Sequence, residues 1–245
     1  GDSRIIITGK EMVSADYIVM TRQILAKAGI TIKQISQREF AIKGHQEFKG
    51  LRNFIVPSDY GLAAFPLAGA ALVPSKITLK GHLKDDMIQS DGHIMRFLKQ
   101  MGVSCKKTNT SIAIQGPFQL KGGTFSLKNC PDLVPIMSVL ALFAKGQTKI
   151  VDIHHARAKE SDRISDVRNE LLKVGADVRE TPNALIINPK PIYKQNQLLD
   201  SHHDHRLAMA WTVLGMKIGT QVKGIESSHK SYPDFVKDMK SLGLR

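Results

Sequence analysis

The sequence predicts an α/β fold made by using one supersecondary unit at least three and a half times. Three observations lead there. Gly29, Gly102 and Gly175 recur 73 residues apart, each closing an apolar helical run: ILAKAG, RFLKQMG and ELLKVG. The strand-like segments SRIIITG, SKITLKG, TKIVDI and TQVKGI begin in the same register at Ser3, Ser75, Thr148 and Thr220. Apolar residues recur at three and four along the helical stretches and alternate in the hairpin stretches between them.

The first copy runs from SRIIITG through the helix ending at Gly29 and has the polar stretch GHQEFKGLRN in its second half. The second reads SKITLKG as strand, MIQSDGHIMRFLKQMG as helix, VSCKKTNTSIAIQG as hairpin and DLVPIMSVLALFAKG as a second helix. The third repeats this with TKIVDI, SDRISDVRNELLKVG, ADVRETPNALIINP and DHRLAMAWTVLGMKIG. Glycine at each helix end suits the left-handed position that stops a helix. The unit is βαβ with an added hairpin, which builds mixed sheets covered by helices.

A boundary is expected near Val56-Pro57-Ser58, giving residues 1–57 as part of one domain and 58–245 as another. The fourth copy is cut short: after Gly243 only Leu244 and Arg245 remain, where earlier copies enter a hairpin. Its strand partners are expected from elsewhere, and the opening at Gly1 is equally abrupt. The chain is therefore expected to be the C-terminal portion of a longer protein, with the missing N-terminal portion as a partner.

With 245 residues, 42% hydrophobic and 6% aromatic, the chain is expected to be globular with an aliphatic core. No stretch approaches the roughly 18 to 20 apolar residues of a membrane span, and no signal peptide is evident. Cys105 and Cys130 have no metal-type spacing, so a reduced, cytoplasmic protein is expected. The net charge of +13 raises nucleic acid as a partner. The cations, however, are spread through every segment without runs or interleaved aromatics, which disfavours it. Small anionic substrates account for the charge as well.

The departures from the common unit are charged and sit at loops leading into helices. Aligning the copies superposes Ser14, Asp86, Lys159 and Ser231, with Glu160 and Lys230 adjacent. Helix starts attract anions, and capping accounts for Ser14 and Asp86 taken alone. Capping does not account for Arg157-Ala158-Lys159-Glu160-Ser161-Asp162-Arg163, with five charges in seven residues. A second equivalent set is Asp59, Asp132 and Asp204, each opening an apolar helix; a cap is preferred for Asp59. Asp204 lies in Ser201-His202-His203-Asp204-His205-Arg206. Metal is disfavoured there because no Cys or Glu completes a ligand set, and no cofactor is expected. An anion clamp using His205 and Arg206 fits better. If equivalent loops share one face, Asp132, Lys159, Glu160, Arg163, Arg206 and Lys230 converge into an acid–base site for a phosphorylated or carboxylated substrate.

These segments resemble the C-terminal part of the 5-enolpyruvylshikimate-3-phosphate synthase (3-phosphoshikimate 1-carboxyvinyltransferase) family. The resemblance rests on Val13-Ser14-x-x-Tyr17, Pro131-Asp132, Arg157-x-Lys159-Glu160-Ser161-Asp162-Arg163, Asp204-His205-Arg206-x-Ala208-Met209-Ala210 and Lys230-Ser231-Tyr232-Pro233-Asp234-Phe235. It implies inside-out α/β barrel domains of repeated βαβαββ units with the active site between two domains. It also implies enolpyruvyl transfer from phosphoenolpyruvate to the 5-hydroxyl of shikimate 3-phosphate, releasing phosphate, in the shikimate pathway to chorismate and aromatic amino acids.

By resemblance, Asp132 contacts the acceptor hydroxyls and is a candidate base, and Glu160 and Lys230 handle proton transfer. Arg163, His205, Arg206 and Lys230 hold phosphoenolpyruvate; Ser14, Tyr17 and Lys159 bind shikimate 3-phosphate, Ser14 at its phosphate. His155 stands where the family often has Asn, at a further acceptor contact. The family's N-terminal elements are absent, so this chain alone is expected to turn over negligibly. The rival readings are a UDP-N-acetylglucosamine enolpyruvyl transferase and an RNA-end-processing or RNA-binding protein of the same repeat.

Overall fold

The computed structural model describes residues 1–242; Gly243 to Arg245, where the fourth copy was read as cut short, lie outside them. The chain begins with β1 (Ser3–Ile6), α1 (Ala15–Lys27), β2 (Ile32–Ser36) and β3 (Glu39–Ile42), then an irregular stretch leading to α2 (Tyr60–Leu72). The second copy supplies β4 (Ser75–Lys80), α3 (His93–Gln100), β5 (Cys105–Lys107), β6 (Ser111–Gly116), β7 (Leu120–Lys121), β8 (Thr124–Ser126) and α4 (Val134–Leu142). The third supplies β9 (Ala144–Lys145), β10 (Thr148–Val151), α5 (Ser165–Lys173), β11 (Asp177–Thr181), β12 (Ala184–Asn188), β13 (Leu198–Asp200) and α6 (His205–Ile218). The last contributes β14 (Gln221–Lys223) and α7 (Phe235–Ser241).

The pairing repeats with the sequence. The strand opening each of the first three copies pairs antiparallel with the third strand of its own unit: Ser3 opposite Ile42, Ser75 opposite Gly116, Thr148 opposite Ile187. A short strand from the preceding copy then adds in parallel, β8 beside β10 and β13 beside β14. These short linking strands were not legible as elements, since two or three residues carry too little pattern for period 2 to show.

The layering is inside out. All nine residues of α4 are buried, as are eleven of the thirteen in α2. These two helices and α6 pack against one another, with the sheets around them. The small, uniformly apolar sequences YGLAAFPLAGAAL and VPIMSVLAL suit helices with no wet side. In contrast, α3 and α5 keep amphipathic patterns and bury one face.

Gly29, Gly102 and Gly175 have φ of +91°, +92° and +80°, the left-handed stop expected of them. The helices they close start later than the patterns suggested. A 3-10 turn at Ser90–Gly92 precedes α3. Asp162 accepts from the backbone N–H groups of Ile164 and Ser165, at 3.1 Å each, while Arg157 holds its carboxylate at 2.8 Å. The capping reading of Ser14 and Asp86 is corrected. Ser14 precedes α1 with φ 56° and no side-chain cap bond, and Asp86 lies in an exposed turn seven residues ahead of α3. Asp59 does cap α2, accepting from Leu62 N–H at 3.1 Å. No helix among the described residues is long and apolar enough to cross a membrane.

Candidate active site

Each inner helix begins at the same edge of the molecule, where the repeat places its irregular loops. Asp132 sits in the 3-10 turn Pro131–Leu133 that leads into α4. Arg163 lies just ahead of α5, and Asp204 is the N-cap of α6, accepting from Arg206 N–H at 2.8 Å. These three loops meet at Arg163, whose side chain is fully buried. Its Nε donates to Asp204 Oδ2 at 2.7 Å, its Nη1 to Asp132 Oδ1 at 2.6 Å and its Nη2 to Glu160 Oε2 at 2.8 Å. A buried guanidinium is tolerated because its fork of donors is met by carboxylates.

Around this hub, Lys159 Nζ stands 3.4 Å from Asp132 Oδ1 and Arg206 Nη2 stands 3.4 Å from Asp132 Oδ2. His205 Nδ1 is 3.9 Å from Glu160 Oε1. Lys230 is exposed, and its Nζ donates to the His203 carbonyl at 2.8 Å, which ties the last copy to the loop carrying His205 and Arg206. The first copy joins through Ser14, whose N–H donates to Lys128 O at 3.0 Å, and through Ala15 N–H to Asn129 Oδ1 at 3.3 Å. Tyr17 points a buried hydroxyl with no hydrogen-bond partner among the described residues. His155, in the turn His154–Ala158, has both ring nitrogens buried and without a partner among the described residues.

Electrostatics follow from this crowding. Burial alone would raise the Asp132 carboxyl, but Arg163, Arg206 and Lys159 overcome it and hold it at about 2. Burial, then the proximity of His154 and Lys159, lowers His155 to about 4, so its imidazole is neutral at pH 7. His205 is lowered by burial and by Arg206. The Tyr17 hydroxyl is pushed up by burial and then by Asp91 and Asp132.

The structure thus brings Asp132, Lys159, Glu160, Arg163, His205 and Arg206 into one cluster, with Lys230 at its edge. The three histidines of the 201–206 loop take different contacts. His202 Nε2 lies 2.9 Å from Glu170 Oε1, His203 offers its carbonyl to Lys230, and His205 faces Glu160. Asp91 escaped the sequence reading. Its Oδ2 is 3.9 Å from Arg206 Nη2 and it is 8% exposed. A single Asp beside Gly92 at a helix start reads as a cap, and only its burial marks it out. A separate cleft of about 700 Å³, lined in part by Asp16, Tyr60, His93 and Asn129, lies between α1 and α3 and does not include the cluster.

The comparisons fall on one family. The family model described as EPSP synthase (3-phosphoshikimate 1-carboxyvinyltransferase) matches residues 1–239. A curated relative from Methanocaldococcus jannaschii, named 3-phosphoshikimate 1-carboxyvinyltransferase, is 39% identical over 99% of this chain and 56% of its own length. One of the same name from Clostridium kluyveri is 38% identical over 99% of this chain and 56% of its own. An EPSP synthase structure from Acinetobacter baumannii superposes with TM-score 0.79 at 26% identity, covering all of this chain and 57% of that one. The enolpyruvyl transferase NikO from Streptomyces tendae, at 16% identity and TM-score 0.74, shares the fold. The chain spans little more than half the length of the curated relatives it matches.

Proposed function

Since the chain belongs to the EPSP synthase (3-phosphoshikimate 1-carboxyvinyltransferase) family, we propose that its charged cluster forms one wall of a site for enolpyruvyl transfer. The group passes from phosphoenolpyruvate to the 5-hydroxyl of shikimate 3-phosphate. The observation carrying this reading is that Asp132, Arg163, Asp204 and Arg206 meet from three loops of the repeat, Arg163 2.6 Å from Asp132 and 2.7 Å from Asp204, and Arg206 3.4 Å from Asp132. Cations beside two carboxylates suit a doubly anionic donor and a reaction that moves protons.

In the reaction, the acceptor hydroxyl gives its proton to a base as its oxygen bonds to C2 of phosphoenolpyruvate, whose methylene carbon takes a proton to become a methyl group. Elimination then removes a proton from that methyl group, breaks the bond from C2 to the phosphate oxygen and releases phosphate. Arg206, His205 and Lys230 hold the donor. Arg163 is fully buried with four hydrogen bonds to Asp204, Asp132 and Glu160, so its first task is to orient those carboxylates. Ser14, at the 3-phosphate, Tyr17, His155 and Lys159 hold the acceptor, and Glu160 and Lys230 carry protons.

Asp132 faces the acceptor hydroxyls, yet a carboxylate held at about 2 is a feeble base. An anionic donor pairing with Arg206 removes part of the field that stabilises it, and its basicity then rises. Donor binding therefore precedes proton abstraction in this reading.

Residues 1–57 belong to the first domain of the whole protein and 58–245 to the second, with the uncovered N-terminal portion of the family's length as the partner across the cleft. Two unpaired thiols, Cys105 and Cys130, suit a cytoplasmic location. The test is phosphate release from phosphoenolpyruvate by this chain alone and mixed with the N-terminal portion of a full-length relative. Shikimate 3-phosphate and UDP-N-acetylglucosamine are offered in parallel. Release only in the mixture, and only with shikimate 3-phosphate, is expected; release with the nucleotide sugar would move the protein to the sister reaction.

A further inference from the structure

Asp91 is a buried carboxylate that no step above employs. It stands in the turn ahead of α3, its Oδ1 is buried without a partner among the described residues, and its Oδ2 faces Arg206 Nη2 at 3.9 Å. Arg206 is itself 7% exposed, and its Nε and Nη1 are buried with no hydrogen-bond partner among the described residues. Its Nη2 alone is engaged, between Asp91 on one side and Asp132 at 3.4 Å on the other. Burial drives the Asp91 carboxyl up to about 7 against the pull of Arg206, so the position is costly to keep.

The seat is completed by an absence. A Cβ on Gly61, in the first turn of α2, would strike Asp91 Oδ2, lie 2.8 Å from Arg206 Nη1 and 3.0 Å from Asp59 Oδ1. Real Cβ atoms do not approach so closely, so a side chain at position 61 would oblige the Asp91 carboxylate and the Arg206 guanidinium to shift from the positions they take over α2.

We propose that Asp91 is a positioning residue for Arg206. Seated against Gly61, its carboxylate and that of Asp132 hold one guanidinium nitrogen and leave Nε and Nη1 unpaired for the anionic donor. The use of those two nitrogens rests on the reading of Arg206 as a phosphoenolpyruvate ligand; the seating of the side chain does not.

Two readouts separate these. The Nε–H resonance of Arg206 in this chain, assigned by its loss in R206K, reports seating without any ligand. It is expected to move, broaden and exchange faster in D91N and in G61A. An unchanged resonance in both would overturn the proposal, whatever the protein turns over.

In the active mixture, D91N is expected to raise the KM for phosphoenolpyruvate roughly tenfold, the scale of a misplaced binding group, with the KM for the acceptor nearly unchanged. The D91N/G61A double variant is expected to be little worse than either alone, since both act through one side chain. Tighter donor binding in D91N, or equal losses for both substrates, would overturn the proposal. If the unaltered protein binds no phosphoenolpyruvate at all, the functional reading fails while the resonance still decides the seating.

Discussion

Arg163 sets the charge balance of the cluster. Its guanidinium answers Asp204, Asp132 and Glu160 together, so removing it strands Asp204, which burial has stripped of water, and leaves the half-buried Asp132 with less charge compensation. R163M is expected to cost about 3–5 kcal/mol, the scale of breaking a buried ion pair from one side, read from the denaturant midpoint. R163K is expected to recover only part of this, because an ammonium lacks the fork. Asp132 gives the pH counterpart. Its folded pKa, about 2, lies below the ordinary 3.8, so it contributes about 2 kcal/mol above roughly pH 4 that is lost as pH falls toward 2. Stability measured from pH 6 to pH 2 should show this loss in the unaltered chain and lack it in D132N.

At the scale of elements, the repeat was legible because helix and strand periods are local properties of the chain. The stops at Gly29, Gly102 and Gly175 were legible for the same reason. The helix starts were less so, since a cap depends on backbone geometry that a side chain's identity does not reveal. Ser14, with φ 56°, lacks the extended conformation from which a hydroxyl reaches the next turn. How closely elements approach was invisible as well. Gly116 ends β6 directly against the carbonyl of Ala70 in α2, so that an added Cβ would collide with backbone. G116A should therefore destabilise the protein by about 1–3 kcal/mol, as overpacking does, and a thermal melt compared with G123A, where an added Cβ meets only ordinary contact with the Phe125 ring at 3.6 Å, would show it.

Across the whole molecule, burial is uneven. The connected hydrophobic core begins at Tyr60 and draws on α2, α4 and α6, whereas α1 has no buried residue. Residues 47–53 are exposed and irregular. On the proposed boundary near residue 57, trypsin is expected to cut first at Lys49 or Arg52, leaving a folded fragment that carries the core. Mass spectrometry of the early products checks this, and first cuts within α2 to α6 would contradict the boundary. The first copy is held to the rest by few polar contacts, among them Asp16 to His93 at 3.1 Å and Gln23 to the Ile88 N–H at 2.9 Å.

By itself, the sequence determined the repeated unit, the polarity of its helices and the loops whose charges an apolar repeat would not otherwise tolerate. These follow from neighbours within a few residues, where side-chain spacing and backbone period coincide. Lys159, Glu160, Asp132 and Arg206 could be singled out on that ground. Only the tertiary structure decided which charges meet, that Arg163 is spent on three carboxylates rather than offered to solvent, and that Asp91 and Gly61 flank Arg206. Apart from the pair of Arg163 with Glu160, three positions away, those facts depend on desolvation and on contacts between residues 30 to 145 positions apart, and neither is written in any local pattern.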